Sequence, residues 1–263
     1  MRKYIFIFKS EIMTHLQYVS DLFINFIGFF LHIFIFLNLW KYIYNDPNEL
    51  INGYTMSQMI WYVIITEIVW TLSNGRAFCR EISNEVKSGS IAYKINKPYS
   101  YIGYLLSSKL GSTFIKSIVY SLLAVIVGLL LLGNIPSLSV LQVLLVIVSM
   151  TLACIVSLLF VIIFGLLSFF VEDSSPFYWI YSKLILVCGV IFPIEYFPSV
   201  VQPLLTYSPV YAISYAPAKL FVDFTYVNCL KALTIQSLYV LIVYLICKFI
   251  YKKGEKKLNV NGG

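Results

Sequence analysis

The chain has 263 residues, of which 60% are hydrophobic, 17% aromatic and only 12% charged, and its formal net charge is +7. Several apolar runs reach the roughly 20 residues that cross about 30 Å of hydrocarbon as a helix. This leaves room for one membrane domain and excludes a second large soluble one. The positive balance follows from membrane topology and attraction to anionic inner-leaflet lipid, and it needs no nucleic-acid partner.

Residues 1–18, MRKYIFIFKSEIMTHLQY, start like a signal peptide, but Lys9 and Glu11 interrupt the apolar run and no small-residue cleavage site follows. Ile5, Phe8, Ile12, Leu16 and Val19 recur at helical spacing, with Lys3, Lys9 and Ser10 elsewhere. That pattern fits an amphipathic helix at the inner membrane surface or a cytosolic extension of the first span. The first span is expected over 19–44, anchored at the interface by Trp40, Tyr42 and Tyr44. Asp46, Pro47 and Asn48 break it, and the loop NDPNELINGYT, free of Lys and Arg, reads as external.

The second span, 55–74, returns the chain inward, and the third covers 112–132. An uncharged turn at Gly133, Asn134 and Pro136 precedes the fourth span, 140–171. Glu172, Asp173, Ser174, Ser175 and Pro176 make a short turn with proline at a helix start. The fifth apolar run, 177–194, leads into a stretch holding Pro193, Pro198, Pro203, Pro209 and Pro217. Each proline lacks an amide donor and clashes with the preceding turn, so 193–228 is expected as short broken helices at the outer leaflet. Such backbone survives only where protein or water satisfies it. The sixth span is 229–250, followed by a basic tail over 251–263.

The cations set the orientation. Arg2, Lys3, Lys9, six residues within 75–111, Lys116, Lys183, Lys248, Lys252, Lys253, Lys256 and Lys257 fall on one side, 16 of the 19 Lys and Arg. Lys41, Lys219 and Lys231 fall on the other. Six spans with both termini cytosolic, in the plasma membrane, satisfy the positive-inside rule.

Catalytic signatures are missing from the sequence. Cys79, Cys154, Cys188, Cys229 and Cys247 are scattered without a CxxC pair, and His15 and His32 form no HExxH. There is no GxxxxGK[ST], GxGxxG or GxSxG. The chain is therefore expected to bind no cofactor or metal of its own and to hydrolyse no ATP by itself. Glu67, inside the second span, is the most conspicuous polar residue, followed by His32, with Asn25 and Asn38 near it in sequence. An ionisable group in a span serves either a translocation path or a structural hydrogen bond between helices.

Residues 75–111, GRAFCREISNEVKSGSIAYKINKPYSYIGYLLSSKLG, form a polar island between two apolar runs and hold Arg76, Arg80, Lys87, Lys94, Lys97 and Lys109. Arg80 to Lys87 reads as a short surface helix ending at Gly89, and Lys97-Pro98 marks a turn before the next helix. The island is either a handle for a cytosolic partner or an ordinary inner loop. A handle transmits force only if its ends are tied rigidly to spans.

Glu85, Lys87, Ser88, Gly89, Ile91, Tyr93, Lys97-Pro98 and Tyr99 resemble the inner-loop signature of the ABC-2 type transporter permeases. The form E-x-x-x-G-x-(I/L)-x-x-x-L-x-x-P is matched at Glu85, Gly89, Ile91 and Pro98, with Ile95 where leucine is common. The resemblance implies the membrane subunit of an exporter, paired with an identical or related permease and served by two copies of a separate cytosolic ATPase that uses ATP and Mg. It implies that the island helix is a coupling helix, with contacts from Arg80, Glu81, Glu85 and Lys87 and a connection shaped by Gly89, Lys97 and Pro98. The expected fold is an all-α integral membrane protein with six transmembrane helices, an N-terminal amphipathic helix, a cytosolic coupling helix between spans 2 and 3, and broken outer helices between spans 5 and 6. Glu67, His32 and Asn25 are the candidates for the translocation path. A scaffold or sensor subunit and an ion-coupled carrier are the alternatives, the latter opposed by the lack of an inverted repeat.

Overall fold

The computed structural model describes residues 2–16, 19–44, 46, 48–73 and 75–261, and the side chains of all these except 15, 19–25 and 258–261. Among the described residues the chain is helical with no strand. The elements are α1 (Arg2–Leu16), α2 (Val19–Ile43), α3 (Met56–Ser73), α4 (Arg76–Lys87), α5 (Ile91–Ile95) and α6 (Tyr101–Leu132). They continue as α7 (Val140–Leu166), α8 (Ser175–Ile185), α9 (Gln202–Thr206), α10 (Ala216–Val222) and α11 (Tyr226–Asn261).

Among the described residues, four stretches are long and apolar enough to cross a membrane: Phe26–Ile43, Tyr101–Leu132, Val140–Phe169 and Tyr226–Lys257, with Ser175–Ile191 a shorter apolar helix. Helix α3 is less apolar because it is the centre of the bundle. Every residue from Met59 to Val69 is buried, so its polar groups face neighbouring helices rather than lipid. Helices α2, α6, α7 and α10 pack around it. Helix α6 approaches it at Gly128, where a Cβ would stand 2.1 Å from Cη2 of Trp61.

The third apolar helix starts at Tyr101 rather than Ser112, capped by the Ser100 hydroxyl. At 1.5 Å per residue it is about 48 Å long, more than a bilayer core needs. Its first turns pack alongside α1 instead. The Ser100 amide donates to the Tyr4 hydroxyl (2.9 Å), the Ser108 hydroxyl donates to Glu11 (2.9 Å), and Lys3 bonds the Pro98 carbonyl. Gly103 and Gly111 leave room for Tyr4 and the Phe8 carbonyl. The face of α1 turned to α6 thus includes Phe8, whereas Ile5, Phe6, Met13 and Leu16 are exposed. Of the five periodic apolar positions, Ile5 and Leu16 are exposed and Tyr4 and Glu11 take their place in the contact, while the Val19 side chain lies outside those described.

The proline-rich stretch is broken as its sequence requires. Helix α8 passes into a π-helical turn over Leu186–Ile191, Ile194–Tyr196 is a 3₁₀ turn, and a second π turn spans Tyr211–Tyr215 before α10. The carbonyls freed by these irregular turns find donors on other helices. Tyr62 Oη donates to Gly189 O (2.8 Å) and Thr66 Oγ1 to Val190 O (3.1 Å). Gln236 Nε2 donates to Ala212 O (2.9 Å). These bonds meet the demand that non-helical backbone at membrane depth be satisfied by protein. The last helix does not stop at Ile250 but runs on to Asn261, with Gly254 flat against the Phe169 ring.

Candidate functional site

Helix α4 is divided lengthwise. Phe78, Cys79, Ile82, Ser83 and Val86 are buried, while Arg76, Ala77, Arg80, Glu81, Asn84 and Lys87 are exposed along one continuous stripe. Both sets follow helical spacing, so one face packs and the other meets water. The packed face is held along its whole length. At the start, the Gly75 amide donates to Tyr178 Oη (2.9 Å), and a Cβ on Gly75 would lie 2.4 Å from Val161. In the middle, Ile82 fills the notch at Gly165 of α7, and Ser168 donates to Ser83 (2.6 Å). At the end, Tyr101 Oη donates to Glu85 Oε2 (2.8 Å), and Lys94 bonds the other carboxylate oxygen.

Gly89 leaves the helix at φ +72°, a conformation costly for residues with a Cβ. Ile91 is then fully buried. The local electrostatics keep this corner neutral or paired. Burial pushes the Cys79 thiol up to about 11, which leaves it protonated at neutral pH. Asp173, at the start of α8, accepts from the Ser175 amide, and this bond, then Lys87 and Arg80, hold its carboxyl below the usual range.

Above the exposed stripe lies a cavity of about 540 Å³ between α2, α3, α4 and α6. Its deep end is the pair His32 Nδ1 and Glu67 Oε1, 2.8 Å apart, with Glu67 almost fully buried and His32 half-exposed. Its walls include Phe29, Trp70 and Tyr120, and its mouth is lined by Arg76, Arg80 and Lys116. At the opposite end of the bundle, the two-residue turn at Asn52 and Gly53, both at positive φ, is pinned by Tyr196, whose hydroxyl donates to Ile51 O (3.1 Å). Tyr44, Trp40 and Phe192 close around Tyr196, and Lys219 pairs with Asp223 (2.9 Å) and lies over the Tyr54 ring.

The family model for ABC-2 family transporter proteins matches residues 23–262. The chain belongs to that family. Among curated proteins none matches it. Its members are multi-pass membrane proteins that work with ATPase partners in ABC transporters.

The four motif residues of this ABC-2 protein have distinct physical tasks. Glu85 is an internal clamp, Gly89 a left-handed exit, Ile91 a core residue and Pro98 part of the turn that α1 grips through Lys3. Arg80, Glu81 and Lys87 share the exposed stripe, and Lys97 is exposed on the turn after α5. Glu85 has its carboxylate committed inside the chain. Glu67 and His32 meet across two helices, 35 residues apart in sequence. Asn25 lies outside the residues whose side chains are described. Sequence reading missed Tyr101 and Tyr178, which anchor α4, and Arg76 and Lys116, which line the cavity. Arg76 carried a usable signal, since it precedes Arg80 by four residues and so shares its face.

Proposed function

We propose that the chain is the membrane-spanning permease subunit of an ATP-driven exporter, coupled through α4 to a separate cytosolic ATPase. The observation that carries this reading is the two-sided character of α4. One face is locked into α7, α8 and α6 at its start, middle and end, and the other offers a charged stripe that no described residue of the chain covers. A helix so held moves only with the spans beneath it, which is what transmission of force requires.

In this reading six spans, α2, α3, α6, α7, α8 with its π turn, and α11, cross the plasma membrane with both termini cytosolic. Two permeases, identical or related, act with two ATPase copies that use ATP and Mg. ATP-driven closure of the ATPases pushes on Arg80, Glu81 and Lys87, while Glu85, Gly89, Lys97 and Pro98 carry the push into α5 and α6. The cavity at Glu67 and His32 is the inner part of the path, and the tyrosine-rich cap around Tyr196 closes it outside.

The test is a pull-down of the tagged chain from its native membrane in mild detergent, with assay of ATP hydrolysis. An ATPase should accompany the wild type and be lost from a Glu81→Lys/Lys87→Glu variant whose thermal stability is unchanged. Removing such contacts costs about 1 to 3 kcal/mol of coupling. Recovery of a non-ATPase protein at α4 instead would make the chain a scaffold.

A further inference from the structure

We propose that the cavity between α2, α3, α4 and α6 is a binding site for a phosphate-bearing amphiphile whose head also carries a hydrogen-bond donor. Arg76 and Arg80 from α4 and Lys116 from α6 converge on its mouth. Among the described residues, none of the three has a carboxylate within ion-pair distance, whereas His32, Lys94 and Lys219 each do. Scattered solvated cations do not need to share one concavity. Here they do, beside the aromatic walls of Phe29, Trp70 and Tyr120.

The second observation is at the deep end. Glu67 is 1% exposed, and its Oε1 is taken by His32, yet its Oε2 has no hydrogen-bond partner. A buried carboxylate oxygen left unpaired is costly, and because Glu67 borders the cavity, a small turn of its side chain lets a ligand donor remove that cost. The cavity therefore brings together three cations for an anion at its mouth, aromatic walls for an apolar chain, and at its deep end an acceptor for a hydroxyl or amine. A volume of about 540 Å³ suits a head group with the first part of its chain. Inorganic phosphate shares the anion but offers nothing to the aromatic walls. Identifying this ligand as the cargo rests on the export reading above, whereas the binding site itself does not.

The experiment is native mass spectrometry of the purified chain in nonionic detergent, titrated with dioctanoyl phosphatidylglycerol. Arg80 is left unchanged, because it is one of the three residues, with Glu81 and Lys87, assigned to the ATPase contact. Arg76→Gln/Lys116→Gln should weaken binding by about tenfold or more, and Lys252→Gln/Lys256→Gln, with the same loss of charge on α11, should not. In a second measurement that avoids the double variant, the lipid should protect Ala77→Cys at the cavity from a charged thiol reagent, and leave Lys252→Cys unprotected. Equal loss in both double variants, absence of protection at Ala77→Cys, or inorganic phosphate binding as well as the lipid would overturn the proposal. A negative ATPase pull-down with lipid binding intact would instead overturn only the export reading.

Discussion

Gly89 and Glu85 sit four residues apart at the end of α4 and hold it by different physics. At Gly89 the space is open, with nothing within 4 Å of an added Cβ, so the backbone alone decides. Gly89→Ala should cost roughly 1 to 2 kcal/mol, and Gly89→Asn less, because asparagine visits the left-handed region more readily. Thermal unfolding in detergent checks the order, and an alanine variant as stable as the wild type would remove the argument. Glu85 works through charge. Partial burial pulls Lys94 down, but the Glu85 hydrogen bond, Tyr104 and Glu81 outweigh it and hold the ammonium above the ordinary lysine value. A folded-state value above the unfolded one means that the contribution is complete below the unfolded value of about 10.4 and is lost as pH rises through the folded one. A double-mutant cycle with Glu85→Gln and Lys94→Met should therefore give a coupling of about 1 kcal/mol that is constant around neutrality and, as pH rises, fades not before strong alkali. Fading already in mild alkali would show that another group holds the corner.

Helix α4 depends on α7 as much as on its own ends. A Cβ at Gly165 would stand 2.7 Å from Cβ of Ile82, an atom fixed to the α4 backbone, so the helix itself would have to lift. Gly165→Ala gains up to about 1 kcal/mol in helix propensity, but overpacking of about 1 to 3 kcal/mol opposes it and wins where the neighbour cannot turn away. The variant should lower both the unfolding temperature and the ATPase stimulation, and normal coupling in it would mean that α4 need not be seated on α7. The sequence pattern showed a short helix over 80–87, from its helix formers and charges of both signs, and the structure carries that helix back to Arg76. The pattern also showed that the stretch expected over 193–228 is broken, since proline forbids one straight helix, although the last helix begins already at Tyr226. It did not show where α6 begins, because Ser107, Ser108 and Lys109 look like loop residues until Glu11 and α1 cover them. Nor did it show the π turn at Leu186–Ile191, whose carbonyls are satisfied by Tyr62 and Thr66 more than 120 residues away.

At the scale of the molecule, contacts sort the cations before any membrane is considered. Lys3 meets Pro98, Tyr101 stacks on Tyr251, and Gly254 rests on Phe169, so the N-terminus, the polar island, the turn before α8 and the end of α11 gather at one end. The loop without Lys or Arg, the turn at Asn134 and the end of α10 gather at the other, joined by Trp61 to Asn134 and Gln58 to Val222. Lys219, at that second end, is paired with Asp223 and Glu195, so it adds little net positive charge there. This sorting was legible from the charge of the loops alone, because the retention of Lys and Arg on the inner side acts on sequence near the spans. The cavity was not legible, because Arg76, Lys116, His32 and Glu67 come together only when four helices have packed. The proposed orientation leads to a direct prediction. A membrane-impermeant maleimide added to intact cells should label Asn52→Cys, and it should label Asn84→Cys and Lys256→Cys only after the membrane is opened. Both latter residues belong to the end rich in cations, so they must behave alike whatever the orientation. If they label from outside while Asn52→Cys does not, the molecule is inverted, and α4 cannot meet a cytosolic ATPase.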